Sequence, residues 1–361
     1  AHLTEHMLFK ATQKRSASQI INRLEAVGGE LNAYTTKEET VVYAVSLRRD
    51  LPRAVELVSD VCLNVCFLPD NLNKEKEVVM DEIDSYLDSP AESIIDDFED
   101  AVFSGYAIGR NILGTKQSLA DVTVNRLQAF YDRTYTPDRQ LLFMMGDITP
   151  QQAEKWAYRY FNTKTGVRNF TRQCPTNYEP CALTSNKQTS QAHCLIGGRA
   201  PSMFDADRYA FSLLINILGG PSTNSRLNMS LRERHALVYQ VEAQYTPYTD
   251  TGIWSVYLGT DHLDLPKAIK LVHKELLKLV QVCLTETTLR RAKRQLLAQQ
   301  LIASDNKESW VLNAAKNYFL NGKLADYAQI EQKINAITAQ QLMQVAEQYF
   351  APNNLSQLVF K

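Results

Sequence analysis

The stretch VVYAVSLRRDLPRAVELV, residues 41–58, has a near copy in SVYLGTDHLDLPKAIKLV, residues 255–272. An offset of 214 residues aligns Val42, Tyr43, Asp50, Leu51, Pro52, Ala54, Leu57 and Val58 with identical residues. Two further blocks repeat at almost the same spacing. SPAES (89–93) matches DNKES (305–309) at offset 216, and residues 122–139 match residues 337–354 at offset 215. A near-constant offset over three blocks is the mark of an internal duplication.

Each copy begins rich in strand formers and continues in helices. LNAYTTKEETVVYAVSL (31–47) carries Thr, Val and Tyr in partial alternation, which predicts strands. LPRAVELVSDVCLNV (51–65) has apolar residues at helical spacing with Pro52 in the first turn. NLNKEKEVVMDEIDSYLD (71–88) reads as a charged amphipathic helix, TVNRLQAFYDRTY (123–135) as a third helix closed by Pro137, and QLLFMMGDI (140–148) as a returning strand. The expected fold is α+β: two homologous domains, each a mostly antiparallel sheet with helices packed on one face. The boundaries fall at 1–168 for the first domain, 169–188 for a polar linker and 189–361 for the second domain. His2 corresponds to Asn216, so residues near 172–215 have no counterpart in the first copy. Roughly 45 residues, with at least one strand, are expected to precede Ala1.

Composition narrows the classes. The 361 residues carry 39 Lys and Arg against 40 Asp and Glu, a net charge of −1, with no basic stripe of the kind nucleic-acid binders show. No apolar run approaches the roughly 20 residues that span a bilayer. Neither nucleic acid nor membrane is expected as a partner. Six cysteines without a framework of spacings read as free thiols, Cys62 and Cys66 as buried ones, and lean towards a reducing, cytoplasmic setting. The chain starts at Ala1 without an initiator Met, so the reading leaves room for a leader.

His2, Glu5 and His6 spell H-x-x-E-H. On a helix, positions i and i+4 share a face, so both imidazoles reach one ion, and Glu5 projects beside it as a base for a water proton. This is the zincin motif inverted. A catalytic zinc wants a third protein ligand and an open position. The helix EKEVVMDEIDSY (75–86) offers Glu75, Glu77, Asp81, Glu82 and Asp84. Glu75 and Glu82 lie two turns apart on one face, so one could ligate and the other support it, although an acidic helix is also what a solvated face looks like.

AHLTEHMLFKAT (1–12), GGELNAYTTKEETVVYA (28–44) and KEKEVVMDEIDSYLDSP (74–90) together resemble the insulinase/pitrilysin family of zinc metallopeptidases, in its bacterial processing-protease branch, similar to mitochondrial processing peptidase. The resemblance covers essentially the whole chain. It implies His2, His6 and Glu82 as ligands of Zn2+, Glu5 as general base and Glu75 as the supporting carboxylate. It also implies that Arg232 and Tyr239, seven apart in LRERHALVY (231–239), hold a substrate carbonyl and stabilise an oxyanion from a partner domain. Asn32 and Ala33, on a strand with an exposed edge, become candidate contacts for an extended peptide. Four such domains enclose a chamber in the family, so a two-domain chain with both motifs is expected to form a homodimer with shared sites. The substrate is expected to be a peptide or unfolded polypeptide.

The second copy acts as an internal control: His2, Glu5, His6 and Glu82 fall on Asn216, Gly219, Gly220 and Ala298. Thr4 and Ala11 depart from the family pattern without touching the proposed chemistry. The expected activity is that of a zinc metalloendopeptidase. The competing reading is a non-catalytic, peptide-binding subunit of a heteromeric processing peptidase, and a closed structural zinc site would need a fourth ligand for which no Cys or His stands at suitable spacing.

Overall fold

The computed structural model describes residues 1–161 and 172–361, which form two compact units. The first takes residues 1–85 and 111–172, the second residues 86–110 and 173–361.

In the first unit α1 (His2–Leu8) and α2 (Ala17–Glu25) precede a hairpin of β1 (Glu30–Thr35) and β2 (Thr40–Val45), then α3 (Leu51–Leu63) and α4 (Pro69–Leu87). Gly28, at φ +73°, adopts the left-handed conformation that ends α2 and turns the chain into β1. The hairpin is antiparallel, with Asn32 opposite Tyr43 and Thr35 opposite Thr40. Two apolar clusters hold the unit together. Leu3, Met7 and Leu8 of α1 pack with Leu72, Val79 and Ile83 of α4, and Ile20 and Leu24 of α2 pack with Ala54, Leu57 and Val61 of α3. Met7 and Leu8 are fully buried, each contributing about 1.5–3 kcal/mol by transfer out of water. Beyond α1, Arg15 bonds Asp60 of α3 at 2.5 Å and Glu56 at 2.7 Å, and the Thr12 hydroxyl donates to Asp60 at 2.8 Å. This buried network fixes the turn after α1 onto α3, and so fixes the helix that carries both histidines.

After α5 (Pro90–Val102) come α6 (Lys116–Ala120), α7 (Val124–Thr134) and α8 (Pro150–Tyr160). Residues 140–148, expected as a strand, form none. A strand needs a neighbour to take its backbone hydrogen bonds, and among the described residues β1 and β2 pair only with each other.

The second unit is built on a five-stranded sheet ordered β3 (Ala182–Ser185), β7 (Ser356–Phe360), β4 (Ala192–Ala200), β6 (Gly252–Thr260), β5 (Val238–Pro247). All pairings are antiparallel except β3 with β7. β3 lies within the polar stretch read from sequence as a linker. The period of two is visible in the packing. Cys194, Ile196, Trp254, Val256, Leu258 and Val359 face one core, while Leu195, Ile253, Tyr257, Leu358 and Phe360 face another. The first core is closed by α9 (Arg208–Gly219), α10 (Leu265–Gln281), α11 (Glu286–Ser304), α13 (Tyr327–Ala336) and α14 (Ala339–Phe350); α12 (Lys307–Asn321) buries only Ala314. The second core is closed by α5, through Ile94, Phe98 and Val102. A helix from the first sequence copy therefore completes the core of the second unit. Elements pair off at the repeat spacing: β2 with β6, α3 with α10, α4 with α11, and α7 with α14.

No helix among the described residues is long and apolar enough to cross a membrane.

Candidate metal centre

α1 is a short helix that divides its faces sharply. Leu3 and Met7 go to the core, and His2 and His6, one turn apart, line another stripe with ring centroids 4.6 Å apart. α4 crosses with Leu72, Val79 and Ile83 on its buried stripe, and the same face carries Glu75 and Glu82 two turns apart. Packing of the two apolar stripes thereby sets both carboxylates against the histidines. Glu82 Oε2 lies 3.9 Å from His2 Nε2 and 3.7 Å from His6 Nε2. One ligand atom from each of the three falls within 4.8 Å of the others, and among the described residues this is the one such group of three.

The donor set suits zinc. Tetrahedral bonds of about 2.0–2.1 Å place ligand atoms roughly 3.3 Å apart, a few tenths of an ångström closer than Glu82 stands to either imidazole nitrogen. Two imidazoles and one carboxylate also leave the fourth position without a protein ligand. Burial, with His6 as the second cause and Glu82 opposing, holds the His2 pKa below its ordinary value and so favours the neutral, ligating ring.

Glu75 is buried and acts behind His6. Its Oε2 lies 3.1 Å from His6 Nδ1 and its Oε1 2.7 Å from Lys10 Nζ. An ionised carboxylate only accepts, so Nδ1 is the protonated nitrogen and Nε2 presents its lone pair towards Glu82 and His2. Glu5, 9 % exposed, meets the hairpin, where the Thr35 hydroxyl donates to its Oε2 at 2.5 Å. Lys10 and Thr35 escaped the sequence reading. Lys10 continues the i, i+4 stripe of His2 and His6, a signal available in the sequence; Thr35 reaches Glu5 across thirty residues and left none.

Asn32 is exposed and Ala33 half-buried on β1, whose second edge has no partner strand among the described residues. Arg232 and Tyr239 belong to the second unit. Arg232 is exposed on a π-helical turn (Asn228–Glu233), and Tyr239, 59 % exposed at the start of β5, bonds Asp261 at 3.2 Å, which pushes its phenol pKa up. The counterparts of the metal residues, Asn216, Gly219, Gly220 and Ala298, bring no ligand set together in that unit. All six cysteines are free, and burial pushes the Cys62 and Cys194 thiols up to about 12, far from the thiolate a metal takes.

Comparison with known proteins agrees over the whole length. The profile described as Insulinase (Peptidase family M16) matches residues 1–116, and Peptidase M16 inactive domain matches residues 121–296. An uncharacterized zinc protease of Mycobacterium leprae is 31% identical over 96% of this chain and 79% of its own length. The uncharacterized zinc protease YmxG of Bacillus subtilis is 30% identical over 97% of this chain and 85% of its own. A peptidase M16 inactive domain from Pseudomonas fluorescens superposes with a TM-score of 0.91 at 20% identity, covering 99% of this chain and 86% of that one. A protease from Helicobacter pylori superposes with a TM-score of 0.90 at 18% identity, covering 100% and 89%. The repeat, the two-unit fold and these matches together place the chain in the insulinase family of peptidases, family M16.

Proposed function

We propose that this chain is a zinc-dependent metalloendopeptidase in which His2, His6 and Glu82 hold the ion and Glu5 is the general base. The observation that carries the reading is the convergence of two imidazole nitrogens and one carboxylate oxygen within 4.8 Å, beside a Glu on the same helix turn. Bound there, zinc supplies Lewis acidity, polarising the scissile carbonyl and lowering the pKa of a water towards neutrality. Glu5 takes the water proton on the carboxylate oxygen that Thr35 does not hold and delivers it to the leaving amide nitrogen. Glu75 keeps the His6 ring in its ligating tautomer. The unpaired edge of β1, at Asn32 and Ala33, takes an extended peptide by main-chain hydrogen bonds. In this reading two copies associate around a chamber, and Arg232 and Tyr239 of the partner subunit bind the carbonyl and the oxyanion.

The test is zinc-loaded protein incubated with a quenched-fluorescence peptide library, with and without chelator, beside Glu5→Gln. The variant is expected to bind zinc as the parent does and to lose about 10²–10⁴-fold in kcat. Cleavage by Glu5→Gln at the parental rate refutes the assignment.

A further inference from the structure

We infer that Thr35 is a positioning residue: its hydroxyl ties the proposed base, Glu5, to the strand proposed to receive the peptide. The inference rests on the peptidase reading above and adds to it a coupling between substrate site and base.

Thr35 is the last residue of β1 and is 8 % exposed. Its Oγ1 donates to Glu5 Oε2 at 2.5 Å, a buried bond to a carboxylate, which belongs to the stronger class of hydrogen bonds. The donor is itself oriented. Thr40 sits opposite Thr35 in the hairpin register, and the two hydroxyl oxygens are 3.1 Å apart. A hydroxyl that gives its proton to Glu5 accepts through its oxygen, so Thr40 is the donor in this second bond. Tyr135 closes the row: its buried hydroxyl stands beside Thr40 without a hydrogen bond of ordinary geometry, and burial keeps it protonated.

The consequence is geometric. One Glu5 oxygen is held and the other is left for the reaction, which restricts rotation of the carboxylate. Alternation along β1 puts Thr35 on the face of Ala33, two residues from the main chain that an added peptide strand would pair with. Pairing at the edge of β1 therefore steadies the residue that aims the base. A general base misplaced by about 1 Å loses on the order of 10²-fold in rate while the substrate still binds.

Three variants decide the matter on full-length, zinc-loaded protein, each measured for kcat, KM, zinc affinity by chelator competition, and melting of the metal-free form. Thr35→Val keeps shape and removes the donor; kcat is expected to fall about 10–100-fold, with KM and zinc Kd each within about threefold of the parent. Thr35→Ser restores the hydroxyl and is expected to recover kcat to within about threefold. Thr40→Val, one bond further out, is expected to lower kcat about 3–10-fold and serves if Thr35→Val does not fold. Unchanged kcat in Thr35→Val, or a Ser variant no better than the Val variant, overturns the inference. So does a loss of zinc affinity in step with kcat, which would make Thr35 a support of the metal residues. If the parent protein itself does not cleave, the peptidase reading falls and takes this inference with it; if the parent cleaves and Thr35→Val matches it, only the positioning role falls.

Discussion

Replacing Glu75 by Gln changes one atom and removes one charge, yet the structure gives it no harmless orientation. The carboxylate accepts from two donors at once, His6 Nδ1 at 3.1 Å and Lys10 Nζ at 2.7 Å. An amide has one accepting oxygen and one donating nitrogen. Turned with the nitrogen towards His6, it forces the proton from Nδ1 to Nε2 and abolishes ligation by that ring. Turned the other way, it sets donor against donor at Lys10, at a cost of about 1–3 kcal/mol for an unsatisfied buried group. Lys10 is 34 % exposed and can swing into water, so the second orientation wins at the lower end of that range. That orientation keeps the His6 tautomer but removes the negative charge that raises the ring's basicity as a ligand, so zinc affinity is expected to drop 10–100-fold, or about 1.4–2.7 kcal/mol. Competition against a chromogenic chelator reads this directly and needs no substrate. Affinity within threefold of the parent would refute the argument that the charge on Glu75 supports His6 as a ligand.

Other outcomes follow from groups away from the metal residues. Asp60→Asn leaves Arg15 and Thr12 without their buried carboxylate and is expected to cost about 3 kcal/mol, read as a lowered urea midpoint. Phe350 is fully buried with its ring 4.6 Å from Trp254, so Phe350→Ala should cost about 3–5 kcal/mol and perturb the tryptophan emission. His193 is buried with Nδ1 2.8 Å from the Tyr257 hydroxyl, and burial, then His262, hold its pKa below the ordinary 6.5. The unfolded chain therefore binds the extra proton first as pH falls. The stability this residue contributes is present above about pH 6.5 and is lost below it. The drop in urea midpoint from pH 7.5 to pH 5 should be smaller in His193→Gln than in the parent; an equal drop rules His193 out as a source of that dependence.

What could be read from the sequence is what local pattern determines. The strands around Tyr34 and Tyr43, the helix opened by Pro52 and the helix carrying Glu75 and Glu82 stand where their periodicities put them. Spacings of four and seven put His2 with His6, and Glu75 with Glu82, each on one helix face, while the choice of Glu82 as the ligand rests on the family resemblance. Contacts set by tertiary placement left no trace in the pattern. Thr35 meets Glu5 only because the hairpin lies against α1. Residues 140–148 have the composition of a strand but lack a ladder partner, and a strand is a property of two segments. α5 belongs to the first sequence copy, and nothing in its local pattern says that Ile94 and Phe98 meet Leu195 and Leu358.

That placement of α5 has a cost in time. Synthesis delivers Ile94 about 260 residues before Leu358, its companion on the last strand, which at 5–20 residues per second is a wait of roughly 13–50 s. During that interval a greasy helix face stays on the nascent polypeptide with nothing to cover it, competing for chaperones and for other growing chains.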